Sequence, residues 1–175
     1  PGTGNLYILD AGGPAIVKVI PNKLGDGGPS GSEGKPRIER INFPFLKGQS
    51  LNGLAYNPGL SLLYVYSESE KKIIAVNEAG QLTESLDLID LELENIQGMV
   101  FANSTDPTDD PDQMNLFLAD EGSRSRVIEL SLTEINPPEF LAESISTSVV
   151  RVIDTSIWSP ASPDPAGIEY LLATN

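Results

Sequence analysis

The chain is 175 residues long, with 11 basic against 25 acidic side chains, a formal net charge of -14, and neither cysteine nor histidine. That length fits one domain or a piece of one. The acidic excess repels phosphate backbones and anionic lipid, which sets aside nucleic-acid binding and membrane insertion and makes cations the more natural partners. Without histidine or cysteine, these residues can build no His-based triad, no thiolate nucleophile and no thiolate metal site.

Hydrophobic residues make up 39 % of the chain, enough for a core, while 16 Gly and 14 Pro announce many turns and few long helices, so the expected fold class is all-β. No run approaches the roughly 18 apolar residues of a spanning helix, and no basic-then-apolar start reads as a signal peptide. The sequence opens on Pro1 rather than Met, and a piece of a larger chain is expected.

In chain order, "NLYILDAGGPAIVKVI" (Asn5 to Ile20) predicts a hairpin whose first strand ends in Asp10 and whose second begins at Ile16. The stretch from Ile20 to Ile38 is rich in Gly, Pro and Ser, as linkers are, but it stands between two strands and is expected to be a long surface excursion. It lacks the Gly-Lys-Ser/Thr order of a phosphate-cradling loop and leads into a strand, "RIERINF" (Arg37 to Phe43), not a helix.

The same sentence is then written again. "LLYVYS" and "NLFLAD" lie over "NLYILD", aligning Asp10, Ser67 and Asp120, 57 and 53 residues apart. Second strands follow at Ile73 and Arg126, and period-2 strands close each unit at Gln81 to Leu88 and Ser148 to Asp154. The second and third units are preceded by "LNGLAYNP" (Leu51 to Pro58) and "IQGMVFAN" (Ile96 to Asn103), with Gly53 and Gly98 in register. A further such strand, "PAGIEYLL" (Pro165 to Leu172), carries Gly167.

Four-stranded antiparallel units recurring every 40 to 55 residues or so are the mark of propeller blades, because a lone four-stranded sheet cannot bury both its faces. An ordinary β-sandwich is the competing architecture. The expected organisation is a single partial β-propeller over 1–175, with blade A at 1–45 lacking its first strand, blade B at 50–90, blade C at 94–156, and the first strand of a next blade at 164–175.

The strand ending in Asp, the short polar turn and the apolar strand of "LYILDAGGPAIVKV" and "LFLADEGSRSRVIEL" resemble those of NHL-like and related six-bladed β-propellers. "GMVFANSTDPTDDPDQMNLFLADEGSRSRVIELSL" and "SPASPDPAGIEYL" resemble segments of large secreted bacterial proteins whose propellers have no defined activity. The resemblance implies a secreted or cell-surface bacterial protein. Ser67 departs from the pattern, so a role for the strand-ending Asp in every blade is not carried over.

Three blade equivalents fall short of the four to eight or so of natural propellers. The expected partner is therefore another copy of the chain, or the remainder of a larger chain, closing the ring over apolar faces and unpaired edges that would otherwise be liabilities.

Between the strands at Ile96 and Asn115 the loop "NSTDPTDDPDQMN" sets Asp106, Asp109, Asp110 and Asp112 close together. Hard cations take six to eight or so oxygen ligands, so these four are the candidate metal ligands and Ca2+ the candidate cofactor. The EF-hand spacing and its glycine are absent, and a solvated acidic loop stiffened by Pro107 and Pro111 is the alternative. Tyr7, Tyr64 and Phe117 share one repeat position and are expected to be core rather than a sugar platform. Asp10 and Asp120 are expected to cap the turns that follow them. Trp158 is expected to staple the connector to the next blade.

No catalytic residues are singled out. The expected role is an extracellular or surface noncatalytic propeller module for binding or assembly. The alternative is a calcium-dependent hydrolase, lactonase-like or esterase-like, whose site other residues complete, with Asn52 and Gln97, just before the repeat glycines, as inward-facing candidates.

Overall fold

A computed structural model describes residues 4–21, 36–123, 125–134 and 145–154. Its eleven strands are β1 (Leu6–Asp10), β2 (Ala15–Ile20), β3 (Arg37–Asn42), β4 (Leu51–Asn57), β5 (Leu62–Ser67), β6 (Lys72–Val76), β7 (Leu82–Asp87), β8 (Ile96–Asn103), β9 (Met114–Asp120), β10 (Arg126–Glu134) and β11 (Ile145–Asp154). They form three antiparallel sheets in simple meander order, β1-β2-β3, β4-β5-β6-β7 and β8-β9-β10-β11. The only helical elements among the described residues are single 3-10 turns, Pro44–Leu46 and Ile89–Leu91, in the connectors between sheets. The fold is all-β, as the density of short alternating strands and turn residues requires.

Strand pairing fixes which side chains share a face, because residues directly opposite one another point the same way. In the first sheet the rows Leu6/Val19/Ile38 and Ile8/Val17/Arg40 lie on one face, and Tyr7/Lys18/Glu39 and Leu9/Ile16/Ile41 on the other. The second face packs on the second sheet through Tyr7, Leu9, Ile16 and Ile41 against Leu63, Val65, Ile74 and Val76. The opposite face of the second sheet, with Tyr64, Tyr66, Ile73, Ala75 and Leu86, packs on Met99, Phe101, Leu116, Leu118, Ile128 and Leu130 of the third. At both joints the aromatic-bearing face of one sheet therefore packs on the aliphatic face of the sheet that follows it. Burying one such aliphatic side chain contributes about 1.5–3 kcal/mol.

Two aromatic contacts repeat the same joint. Tyr7 stacks on Tyr56 with ring centroids 5.4 Å apart, and Tyr64 meets Phe101 edge-on at 4.8 Å. Tyr56 lies opposite Leu63 and Phe101 opposite Leu116, which is the same place in β4 and β8. The first joint also holds a polar bridge, with Glu78 accepting from Lys18 Nζ at 2.8 Å and from the Tyr7 hydroxyl at 2.5 Å.

The neighbours β4 and β8 run close together at one edge of the stack, β1 touches β4, and β7 touches β11 at the opposite edge. Inner strands gather on one side and outer strands on the other, as in a partial propeller. The described residues form no closed ring.

Glycine marks two tight places. Gly53, at φ +65°, sits in a bulge of β4 between Asn52 and Leu54, and a Cβ there would lie 2.9 Å from Met99 Cγ of β8. Gly80, at φ +78° in the β6–β7 turn, would place a Cβ 2.9 Å from the carbonyl oxygen of Asn42 in the preceding sheet. Both are points where backbone conformation and sheet-to-sheet approach are set together.

β10 runs on to Glu134, β11 starts at Ile145, and their ladder continues past a bulge at Glu129/Leu130. The body of the 20–38 excursion, Trp158 and the strand expected at 165–172 lie outside the described residues.

Gly53→Ala should destabilise the chain by about 1–3 kcal/mol, since a left-handed backbone and a contact with Met99 both penalise the new methyl. Urea denaturation monitored by circular dichroism measures this, and a shift within error would show that the bulge relaxes freely.

Candidate functional site

The acidic loop joins β8 to β9 and is built from its own hydrogen bonds. Asp106 Oδ1 accepts from the Thr108 backbone N-H at 2.8 Å and from Thr108 Oγ1 at 2.7 Å. Asp109 Oδ2 accepts from Ser104 Oγ at 2.5 Å, and Asp110 Oδ1 from the Asp112 N-H at 2.9 Å. The bonds of Asp106 and Asp110 are Asx turns, the local conformation that short acidic side chains favour. Hydrogen bonds from Thr108 hold the Asp106 carboxyl below its ordinary range. Among the described residues, no group of three or more Asp and Glu side chains is placed so that it could hold a metal ion. Asp106, Asp109, Asp110 and Asp112 share this one loop, where Asp106 and Asp110 each accept a backbone N-H two residues on.

The strand-ending aspartates behave differently from one another. Asp10 caps its own turn, accepting from the Gly13 N-H at 3.1 Å, and pairs with Arg40 Nη2 at 2.6 Å. Asp120 reaches backward instead. Its Oδ1 accepts from the Glu94 and Asn95 N-H groups at 3.0 and 2.8 Å, and its Oδ2 from Arg126 Nε at 2.9 Å. Arg126 in turn donates to the Leu91 and Glu92 carbonyls at 3.2 and 2.8 Å. Asp120, 1 % exposed, therefore clamps the connector into β8 rather than the turn after β9. That corrects the expectation of a common cap: in the segment after β9 the Glu121 and Ser123 N-H groups donate to the Asn95 carbonyl and the Glu94 carboxylate instead.

Asn52 and Gln97, candidates from their place before the repeat glycines, each donate to the carboxylate one residue past the next strand: Asn52 Nδ2 to Glu68 at 3.1 Å and Gln97 Nε2 to Glu121 at 2.8 Å. The first sheet has Ala11 at that place. These amide–carboxylate pairs tie β4 to the β5–β6 turn and β8 to the segment after β9.

A buried carboxylate escaped the sequence reading. Glu129, 1 % exposed, accepts from the Thr105 N-H at 2.9 Å, the Thr105 hydroxyl and Asn115 Nδ2 at 2.8 Å. Burial raises its pKa, but the bonds from Thr105 and Asn115, with the charge of Arg151, outweigh that and hold it below the ordinary carboxylate range. Its signal was a charge inside "RVIEL", at the repeat place held by Lys18 and Ala75. It anchors the start of the acidic loop to β10.

The remaining feature is the outer face of the first sheet. Leu6 and Ile8 are 57 % and 47 % exposed, and Ile38 of β3 is 66 % exposed beside half-buried Val17 and Val19. Their repeat equivalents, Leu63 and Val65 in β5 and Leu116 and Leu118 in β9, are all fully buried against a neighbouring sheet. Tyr64 and Phe117 are buried and Tyr7 half-buried, so the repeated aromatics are core, as expected from their periodicity.

Two outcomes follow. Asp120→Ala should cost about 1–3 kcal/mol, because it leaves a half-buried guanidinium and two connector N-H groups without their acceptor, whereas Asp10→Ala at a solvated turn should change stability little; chemical denaturation of both variants decides this. Acidification should remove the contribution of Glu129: a depressed folded pKa gives stability that is complete above the unfolded carboxylate range and lost as pH falls through the folded value. Glu129→Gln should flatten that acid limb in melting curves taken between neutral pH and pH ~3.

Comparison of the chain with known protein families, with curated proteins and with solved structures finds no match.

Proposed function

We propose that the chain is a noncatalytic, NHL-like β-propeller segment of an extracellular or cell-surface protein, used for assembly through sheet faces rather than for chemistry. One observation carries this reading: the face of Leu6, Ile8, Val17, Val19 and Ile38 is open in the first sheet, while the same face is covered in the second and third. An aliphatic surface of this kind is costly in water, and its repeat equivalents show what it is shaped to meet, the aromatic-bearing face of another sheet. The polar residues support the same reading, since the carboxylates described above are engaged in turns, connectors and inter-sheet ties.

Sedimentation velocity tests the proposal. The chain should associate at micromolar concentration, and the double variant Leu6→Lys, Ile8→Lys should sediment as a monomer with unchanged circular dichroism. A wild-type monomer with no partner-dependent shift would sink the assembly reading. Hydrolysis of ester or lactone substrates that rises with Ca2+ and disappears with chelator would establish the hydrolase alternative in its place.

A further inference from the structure

The two connectors between sheets follow one plan, and the first of them leaves a cleft. In each, the residue after the sheet's last strand donates its N-H to the carbonyl just before β2 or β6, Phe43 to Pro14 at 2.8 Å and Leu88 to Lys71 at 2.9 Å. Each ends on a carbonyl that accepts from the residue just after β5 or β9: Glu68 donates to Ser50 and Glu121 to Asn95, both at 2.8 Å. The spans 43–50 and 88–95 are equal in length, so Gly48 holds the place of Leu93, Gln49 that of Glu94 and Pro14 that of Lys71.

Two of these replacements remove side chains that fill the second connector. Leu93, 6 % exposed, packs into the core between the second and third sheets, and Lys71 Nζ reaches across to donate to the Leu93 carbonyl at 3.2 Å. Glycine and proline can do neither. What remains is an open cleft of about 660 Å³, a size usual for small-ligand sites, lined by turn residues 11–14 and connector residues 44 and 47–50. A Cβ added at Gly48, at φ +86°, would have nothing within 4 Å. The third replacement leaves an acceptor unsatisfied. Glu94 takes the Ser123 N-H at 2.9 Å on one oxygen and the Ser123 hydroxyl at 2.6 Å on the other. Gln49 instead donates through Nε2 to Glu70 at 2.6 Å, and its buried Oε1 receives no donor. A buried acceptor left in that state costs about 1–3 kcal/mol, which favours a ligand that brings an N-H or O-H.

We propose that this cleft binds an aliphatic primary ammonium group, which donates to Gln49 Oε1 and to the Gly48 carbonyl and lays its stem in the space that Leu93 and Lys71 fill at the next connector. The inference is independent of the assembly reading. The molecule itself answers the same geometry with a lysine, whose ammonium reaches the carbonyl equivalent to that of Gly48. An ammonium carries three donors and no acceptor, so it satisfies a bare oxygen without adding an unpaired one. Charge agrees: Glu70 and Glu68 accept from Gln49 and Ser50 of the lining, setting two carboxylates against one lining cation, Lys47. The net charge of -14 gathers cations around the whole chain. Ala11, Pro14 and Pro44 give the methylene stem an apolar wall. A partner protein's lysine side chain and a free alkylamine share this chemistry.

Titration of the isotope-labelled full chain with n-butylammonium chloride, followed by NMR, tests this. Backbone signals of Gly12, Gly13, Gly48, Gln49 and Ser50 should shift together and saturate at about millimolar concentration. n-Butanol, with the same stem and no charge, should bind more weakly by about tenfold or more. Pro14→Lys supplies the ammonium from within the chain, as Lys71 does, and Gln49→Met keeps the side-chain length while removing the acceptor. Each should weaken binding by about tenfold or more with unchanged circular dichroism. Nα-acetyl-lysine methylamide separates the sources: binding equal to that of butylammonium assigns the cleft to a partner's lysine, and binding by butylammonium alone assigns it to a free amine. Shifts that do not saturate, that butanol reproduces at equal concentration, or that survive both substitutions would overturn the inference, whatever the chain's state of association.

Discussion

Everything in this structure depends on the joint between one sheet's aromatic-bearing face and the next sheet's aliphatic face. A four-stranded sheet with apolar residues on both sides cannot be satisfied by one neighbour, so each must be covered twice. The alternation of Tyr7 and Ile8 in β1, of Tyr64 and Val65 in β5, and of Phe117 and Leu118 in β9 writes that requirement into adjacent residues. The pleat sends them to opposite faces, and stacking follows from packing rather than from any special motif. The amide–carboxylate ties and the Asp120 clamp then fix the angle at which each connector enters the next sheet.

Polar groups in this protein act mainly as carpentry. The chain is strongly acidic, yet the carboxylates at structurally decisive places accept backbone N-H groups or pair with a single cation. Glu78 bridges the first two sheets, Asp120 holds a connector and Glu129 secures the start of a loop, each with a different partner set. A buried carboxylate is tolerated in such places because two or more donors compensate its desolvation, and losing a donor costs more than the bond itself.

Much of this fold was legible because repetition is a strong signal. Matching "NLYILD" with "NLFLAD" located hairpins, and Gly53 and Gly98 located the inner strands, because period-2 alternation survives in both. The tertiary choices were less legible. Nothing in the sequence distinguishes Asp10 from Asp120, and only the proximity of the Glu94–Asn95 connector makes one a turn cap and the other a clamp. The acidic loop drew attention by composition, whereas its Asx turns depend on backbone geometry that spacing alone does not specify. Glu129 drew no notice, because nothing in the spacing of "RVIEL" announces the Thr105 hydroxyl and the Asn115 amide that stand beside it.

Gly80 gives the stack a property beyond stability. Its bare α-carbon lets the β6–β7 turn press against the Asn42 carbonyl of the preceding sheet, so it acts as a pivot for the angle between neighbours. Because the two faces of each sheet differ, stacking is directional, with a leading and a trailing surface. In a directional stack the angle per step determines whether the series returns on itself or advances as a screw. A side chain at Gly80 would wedge the first joint open, and its main effect would be on shape, because the same contacts would then be made at a wider angle.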